Sequence, residues 1–257
     1  MTDLSVLEAL LVLAAGLAAG TINTIVGAGS LITFPTLLAV GYPAVLANVT
    51  NTVGLVPGSI SGAFGYRREL EGQGRRIRTL AVASATGGFS GAVLLLLLPG
   101  STFRRIVPAL ILLASALVAV QPRVARRVAA RAARRGRTPA AAGGPLLFLT
   151  VFGTGVYGGY FGAAQGVILI ALLGIFVEDD LQRLNGLKNV LAAIVNGVAA
   201  LFFVLRAHIA WAPALLLAAG SITGGQLGAT FGRRIPARGL RAVIVLVGTV
   251  VAIALWT

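Results

Sequence analysis

Residues 19–38 read AGTINTIVGAGSLITFPTLL, and residues 155–174 read GVYGGYFGAAQGVILIALLG. Each is an apolar run interrupted near its middle by small residues. In the first the interruption is Gly27-Ala28-Gly29-Ser30, in the second Gly162-Ala163-Ala164-Gln165-Gly166. A helix broken at such a point exposes free N–H groups and the positive end of its dipole at the start of the next segment. Glycine at the break lets another backbone or a ligand approach closely. Two broken apolar hairpins in one chain set the fold class, and the rest of the sequence says what surrounds them.

The surroundings are lipid. Of 257 residues, 57% are hydrophobic and 11% are charged, against about 25% charged in an ordinary soluble domain. So few charges cannot cover a soluble surface of this size. Apolar runs cover residues 4–22, 30–41, 45–66, 79–98, 104–121, 145–161, 166–177, 187–205, 212–231 and 240–256. The predicted fold class is an all-α polytopic membrane protein. The 34 glycines fit helices that are broken or packed closely against each other. The chain has no cysteine, which excludes disulfides, thiolate metal sites and thiol nucleophiles.

The net charge of +14 has a topological reading. Of the 21 Lys and Arg residues, 18 lie in four segments, 67–78, 122–138, 178–188 and 232–241; Arg104, Arg105 and Arg206 are the remainder. Basic loops face the cytoplasm, which puts those four segments inside. The run 166–177 is too short to span, at 1.5 Å per residue. It reads as the return arm of a re-entrant hairpin with 145–161, and 4–22 with 30–41 reads likewise. The expectation is one hairpin and three full crossings per half, with both termini outside, in the inner (plasma) membrane. The Arg-rich stretch 122–144 is read as a cytoplasmic linker against anionic headgroups, with Val124 and Val128 suiting a short interfacial helix. No nucleic-acid partner is expected. The first run lacks the basic start of a signal peptide, since it opens on Asp3, and is read as a mature helix.

The two halves repeat. Gly16, Gly20 and Gly27 match Gly155, Gly159 and Gly166 at one offset. Asn48-Val49-Thr50-Asn51 falls on Gly186-Leu187-Lys188-Asn189, residues 86–92 match 223–229, and Phe103-Arg104 falls on Leu240-Arg241. The predicted domains are a first transmembrane repeat at 1–121, the linker at 122–144 and a second repeat at 145–257. The loop 67–78 is basic while its counterpart 206–211 is nearly uncharged, and the short 99–105 faces the basic 232–241. Such a swap is what inverted-topology repeats require, and these place a binding site near the bilayer midplane.

The chemistry of that site is read from its polar residues. All seven carboxylates (Asp3, Glu8, Glu69, Glu71, Glu178, Asp179 and Asp180) lie at ends or in loops. This argues against a carboxylate proton relay, a sodium site built on acids and a divalent-cation path. His208 is the lone histidine, so no metal site and no cofactor are expected. No Ser/His/Asp set or paired carboxylate supports an enzyme. The spans carry neutral donors instead. The candidate substrate-binding residues are Asn23, Thr24, Gly27, Gly29, Ser30, Thr50 and Asn51 from the first half. Gly162, Gln165, Gly166, Lys188 and Asn189 come from the second. Two hairpin N-termini pointing at one another, one lysine and no nearby acid describe a site for a small anion.

The same stretches carry a family resemblance. Residues 19–38 followed by PAVLANVTNT at 43–52, and residues 155–174 followed by RLNGLKNVLAAIVN at 183–196, resemble the two halves of the sulfite exporter TauE/SafE family. The resemblance implies a membrane transporter for sulfur-containing or related organic anions. The chain departs from the family pattern at Asn23, where an acid is common, and at the polar second hairpin. The function expected is a secondary transporter of a small anion, such as a sulfite-like oxyanion or organosulfonate, working by alternating access. It needs no ATP, because no Walker-type loop is present. The alternatives are an anion channel or a non-transporting membrane assembly subunit. The partners expected are the anionic substrate, the lipid bilayer and further copies of the chain in a homo-oligomer.

Overall fold

The computed structural model describes residues 4–134, 144–232 and 237–255. Residues 135–143 of the Arg-rich linker and 233–236 of the last basic segment lie outside the described residues. The described chain forms ten helices and no strand. The first five are α1 (Val6–Ile25), α2 (Ser30–Ala39), α3 (Ala44–Gly65), α4 (Gly74–Leu97) and α5 (Gly100–Arg134). They are followed by α6 (Pro145–Tyr160), α7 (Gln165–Phe176), α8 (Leu181–Arg206), α9 (Trp211–Phe231) and α10 (Ala237–Ala254).

Five of these, α1, α4, the first 28 residues of α5, α8 and α9, are long and apolar enough to cross a bilayer. Helix α3 has 22 residues, about 33 Å at helical rise, but buries Asn48, Thr50, Asn51, Thr52 and Ser59. Helices α2 and α7, with 10 and 12 residues, are too short to cross and act as return arms. The protein is thus a multi-pass, all-helical membrane protein, as the apolar runs require. The linker differs from its reading. Residues 122–134 continue α5 as one 35-residue helix, so the boundary expected at 121 falls inside a helix and no separate interfacial helix begins there. Pro122 does not stop α5, although a proline interrupts the local hydrogen-bond ladder.

The helices have two ends. At one, the turn between α3 and α4 meets the turn between α7 and α8. Arg76 Nη1 lies 3.0 Å from Asp179 Oδ2, and Arg183 Nε lies 2.8 Å from Asp179 Oδ1. Arg183 also donates to the Glu71 carbonyl (2.9 Å), and Gln73 donates to the Arg183 carbonyl (3.2 Å). At the opposite end lie the start of α1 and the turn from α2 to α3. There burial and the nearby Glu8 carboxylate push the Tyr42 phenol up, and Val45 approaches the start of α5 at Gly100. The α1–α2 hairpin therefore enters and leaves at one end. The α6–α7 hairpin enters and leaves at the other, because α7 runs into the turn that carries Asp179.

Packing explains the glycines. Helix α1 lies on α9, α6 lies on α4, and α3 and α8 pack on each other and on α9 and α4 respectively. At these contacts backbones meet without side chains between them. A Cβ on Gly20 would stand 2.3 Å from the Ser221 carbonyl oxygen, and one on Gly91 would stand 2.0 Å from that of Val156. In lipid, where apolar association has no hydrophobic drive, such close approach supplies the packing that holds helices together. Phe34 of α2, Phe103 of α5 and Phe161 after α6 form an edge-to-face cluster at 5.4–6.5 Å, which ties both hairpins to α5.

Gly91→Ala is expected to lower stability by about 1–3 kcal/mol, the usual cost of overpacking. Gly153→Ala, on an exposed position with no atom within 4 Å of a new Cβ, is expected to leave it unchanged. Thermal unfolding of the two variants in detergent checks this; equal melting would refute the backbone contact.

Candidate functional site

Both hairpins break in the same way. At the end of α1, the N–H groups of Val26 and Gly27 both donate to the Ile22 carbonyl, and Gly27 has φ +86°. At the end of α6, the N–H groups of Phe161 and Gly162 both donate to the Tyr157 carbonyl, and Gly162 has φ +78°. These left-handed positions favour glycine. Three residues later α2 starts at Ser30 and α7 at Gln165. Gly27 therefore stands where Gly162 stands, and Ser30 where Gln165 stands. The pairing of Gly27 with Gly166 read from the sequence is four residues, or one turn, out of register. Neighbouring contacts agree. A Cβ on Gly20 would meet Ser221 and Gly225, and one on Gly155 would meet Ser84 and Gly88.

A smaller correction applies to α3 and α8. Their N-caps are Pro43 and Asp180. This sets Asn48 against Asn185, Asn51 against Lys188, Thr52 against Asn189 and Ser59 against Asn196. The sequence pairing of Thr50 with Lys188 is one residue off. In the observed register every one of these positions is polar in both halves.

The two breaks touch. The Gly166 N–H donates to the Gly27 carbonyl (3.1 Å), and a Cβ on Gly27 would stand 2.4 Å from Gly166 Cα. The helix N-termini were expected to face one another across an anion. Here Gly27 takes up one N–H of the first turn of α7, and the space between the tips is closed. Neither α2 nor α7 has a side-chain cap.

Around the tips lie the predicted polar residues. Asn51 donates from Nδ2 to Ser30 Oγ (3.1 Å) and accepts from Thr33 Oγ1, so α3 is fastened to the start of α2. Asn23 donates to Ser59 Oγ (3.3 Å), as does Asn196 (3.4 Å). Ser59 thereby joins α1, α3 and α8. Gly29 lies against Asn23, with a virtual Cβ 3.1 Å from the Asn23 Cβ. Gln165 is buried against Gly158 and Gly162's turn, and its Nε2 has no hydrogen-bond partner among the described residues. Asn48 donates to the Tyr160 carbonyl (3.0 Å), and its own Oδ1 has no partner among the described residues.

Lys188 has an unexpected orientation. Its ammonium donates to the carbonyls of Thr24 (3.0 Å) and Asn23 (3.4 Å), the last turn of α1, and Asn189 donates to the Thr24 carbonyl (3.3 Å). Lys188 is 1% exposed, the one buried charged side chain among the described residues. It closes the C-terminal end of α1 and does not project at the N-termini of α2 and α7. A cation at that end of a helix is favourable.

Of the predicted residues, the structure gathers Asn23, Thr24, Gly27, Gly29, Ser30, Asn51, Gly162, Gln165, Gly166, Lys188 and Asn189 about the tips. Thr50 is elsewhere: its hydroxyl accepts from the Ala210 N–H (3.2 Å) and holds the α8–α9 turn. Sequence reasoning missed Ser59 and left Asn48, a polar residue of the same helix, out of the site. It left Asn196 out of the site, although an amide in an apolar helix was the signal for it. Among the described residues, no group of three or more acids and histidines could hold a metal.

Comparison with known proteins bears on this arrangement. The family model described as "Sulfite exporter TauE/SafE" matches residues 12–255. The chain is 26% identical over 238 residues to the "Probable membrane transporter protein YfcA" of Escherichia coli K12, covering 91% of this chain and 84% of that one. It is 27% identical to a "Probable membrane transporter protein" of Haemophilus influenzae, covering 83% and 81%. It is also 27% identical to the "Probable membrane transporter protein ORF9" of a Sinorhizobium species, covering 92% and 88%. No solved structure matches it. The chain belongs to the sulfite exporter TauE/SafE family of membrane transport proteins.

Proposed function

We propose that the chain is a secondary transporter for a small anion, a sulfur oxyanion or organosulfonate, that works by alternating access between two inverted repeats. The observation that carries this reading is the matched polar set. Ser30 and Gln165, Asn51 and Lys188, Thr52 and Asn189, and Ser59 and Asn196 stand at equivalent points of the halves, around tips that enter from opposite ends. No carboxylate is among their hydrogen-bond partners. A duplicated, donor-rich site with a net positive charge suits an anion with several oxygens.

In this reading Asn23, Ser30 and Asn51 donate from the first half, and Gln165 and Asn189 from the second. Lys188 neutralises the carbonyls of α1 that would repel an anion, so its charge acts through position. The contact between Gly27 and Gly166 supports a carrier over a channel, since a continuous pore would have to pass those tips. The Arg76–Asp179–Arg183 cluster closes one end and would have to part when the halves rock. These pairs are part-buried, so parting them leaves charged groups that incoming water must solvate.

The basic end is the cytoplasmic one. Arg67, Arg68, Arg75, Arg76, Arg78, Arg123, Arg126, Arg127 and Arg183 lie there, against Arg104, Arg105 and Arg206 at the other. Lys and Arg bias sets orientation in just this way, and it puts the start of α1 and the end of α10 outside, in the cytoplasmic (inner) membrane.

The binding experiment is thermal unfolding against sulfite, sulfate, thiosulfate, taurine, sulfoacetate and acetate, with choline chloride as the background. A ligand at 100 times its dissociation constant stabilises by about 2.7 kcal/mol. One sulfur anion is expected to shift the unfolding selectively, and Lys188→Ala is expected to lose the shift. Lys188→Arg is not expected to restore it, because the guanidinium fork is larger than the ammonium it would replace at a buried position. No shift from any sulfur anion would refute the substrate class. Orientation is tested separately, since the chain has no cysteine of its own. In intact cells an impermeant thiol reagent is expected to label Arg206→Cys and spare Arg126→Cys; the reverse pattern would invert the topology.

A further inference from the structure

The partners of Lys188 are oxygens of one kind. Its ammonium lies 3.0 Å from the Thr24 carbonyl and 3.4 Å from that of Asn23, and Asn189 Nδ2 lies 3.3 Å from the former. Both carbonyls belong to the last turn of α1, before the chain reverses at Gly27. Carbonyls at a helix C-terminus lack intrahelical donors and carry the negative end of the dipole. Inside a membrane protein they must be satisfied by something other than bulk water. In transporters with broken helices, this is the kind of oxygen that coordinates a monovalent coupling cation.

The feature is present in one half only. Asn51, which stands where Lys188 stands, turns instead to Ser30 and Thr33 of its own hairpin. A charge spent in this way is therefore not demanded by the duplicated fold. The lysine side chain spans from α8 to the end of α1 and brings the ammonium into contact with neutral oxygens alone among its hydrogen-bond partners.

We propose that Lys188 is a tethered cation. Its ammonium occupies a monovalent-cation site formed by the carbonyls of Asn23 and Thr24 beside the Asn189 amide, so the protein needs no free sodium or potassium ion there. The inference goes beyond the anion reading and does not rest on it. Shortening the side chain should open the site to a free ion, potassium foremost, because its radius is close to that of an ammonium group.

The test is thermal unfolding of the detergent-purified full chain, with no anion but chloride. Wild type, Lys188→Ala and Lys188→Met are prepared in potassium chloride and exchanged into choline, sodium, potassium or ammonium chloride. Wild type is expected to melt at the same temperature in all four. Lys188→Ala is expected to melt lower in choline and to recover, saturably, with potassium and with ammonium. Lys188→Met fills the volume without charge and is expected to melt lower in every salt alike. The proposal is overturned if Lys188→Ala is indifferent to the cation, or if Lys188→Met recovers as the alanine variant does. It is equally overturned if wild type itself depends on potassium, or if Lys188→Ala cannot be recovered folded in potassium chloride. Failure here leaves the response to sulfur anions untouched, so the two readings are separable.

Discussion

The structure depends on the contact between two broken hairpins inside the membrane. Gly27 and Gly166 meet backbone to backbone, joined by one N–H···O bond of 3.1 Å. Several polar residues near them answer the problem that the two breaks create. Breaking a helix in lipid leaves amides and carbonyls without partners, and the chain must supply them from elsewhere. Asn51 fastens the start of α2, Lys188 and Asn189 close the end of α1, and Ser59 collects amides from α1 and α8. The glycine contacts of α1 with α9 and α6 with α4 hold the hairpins where these bonds can form.

The constraint has a functional consequence. In the proposed carrier the tips stay in contact while the ends part. One end is tied by Arg76, Asp179 and Arg183, and the tie crosses between the α3–α4 turn and the α7–α8 turn. The pairs are part-buried, and at the tips the hydrogen bonds are part-buried or buried, so leaving a group unpaired is costly at both places.

Much of this was legible in the sequence. The apolar runs and the scarcity of charge gave the multi-pass helical class, and the short runs after Gly29 and Gln165 gave the return arms. The register was not legible, for a definite reason. Glycines recur four residues apart in both α1 and α6, at Gly16 and Gly20 and at Gly155 and Gly159. A shift of one turn still sets Gly20 on Gly155 and Gly27 on Gly162, and the left-handed φ at Gly27 and Gly162 decides between the two alignments. The target of Lys188 was hidden as well. Depth along a helix can be counted from the sequence, but the neighbour a side chain reaches across the bundle cannot. Ser59 escaped notice because a single serine in an apolar helix usually bonds its own backbone, as it also does here to the Leu55 carbonyl.

The carrier reading is tested most directly by solute counterflow. Purified protein is reconstituted into liposomes preloaded with unlabelled sulfite, and entry of labelled sulfite is followed against empty liposomes. A carrier whose halves rock around one site predicts saturable uptake that is accelerated by sulfite on the far side and abolished by an excess of it on the near side. Uptake that is indifferent to the internal anion and rises linearly with concentration would contradict it.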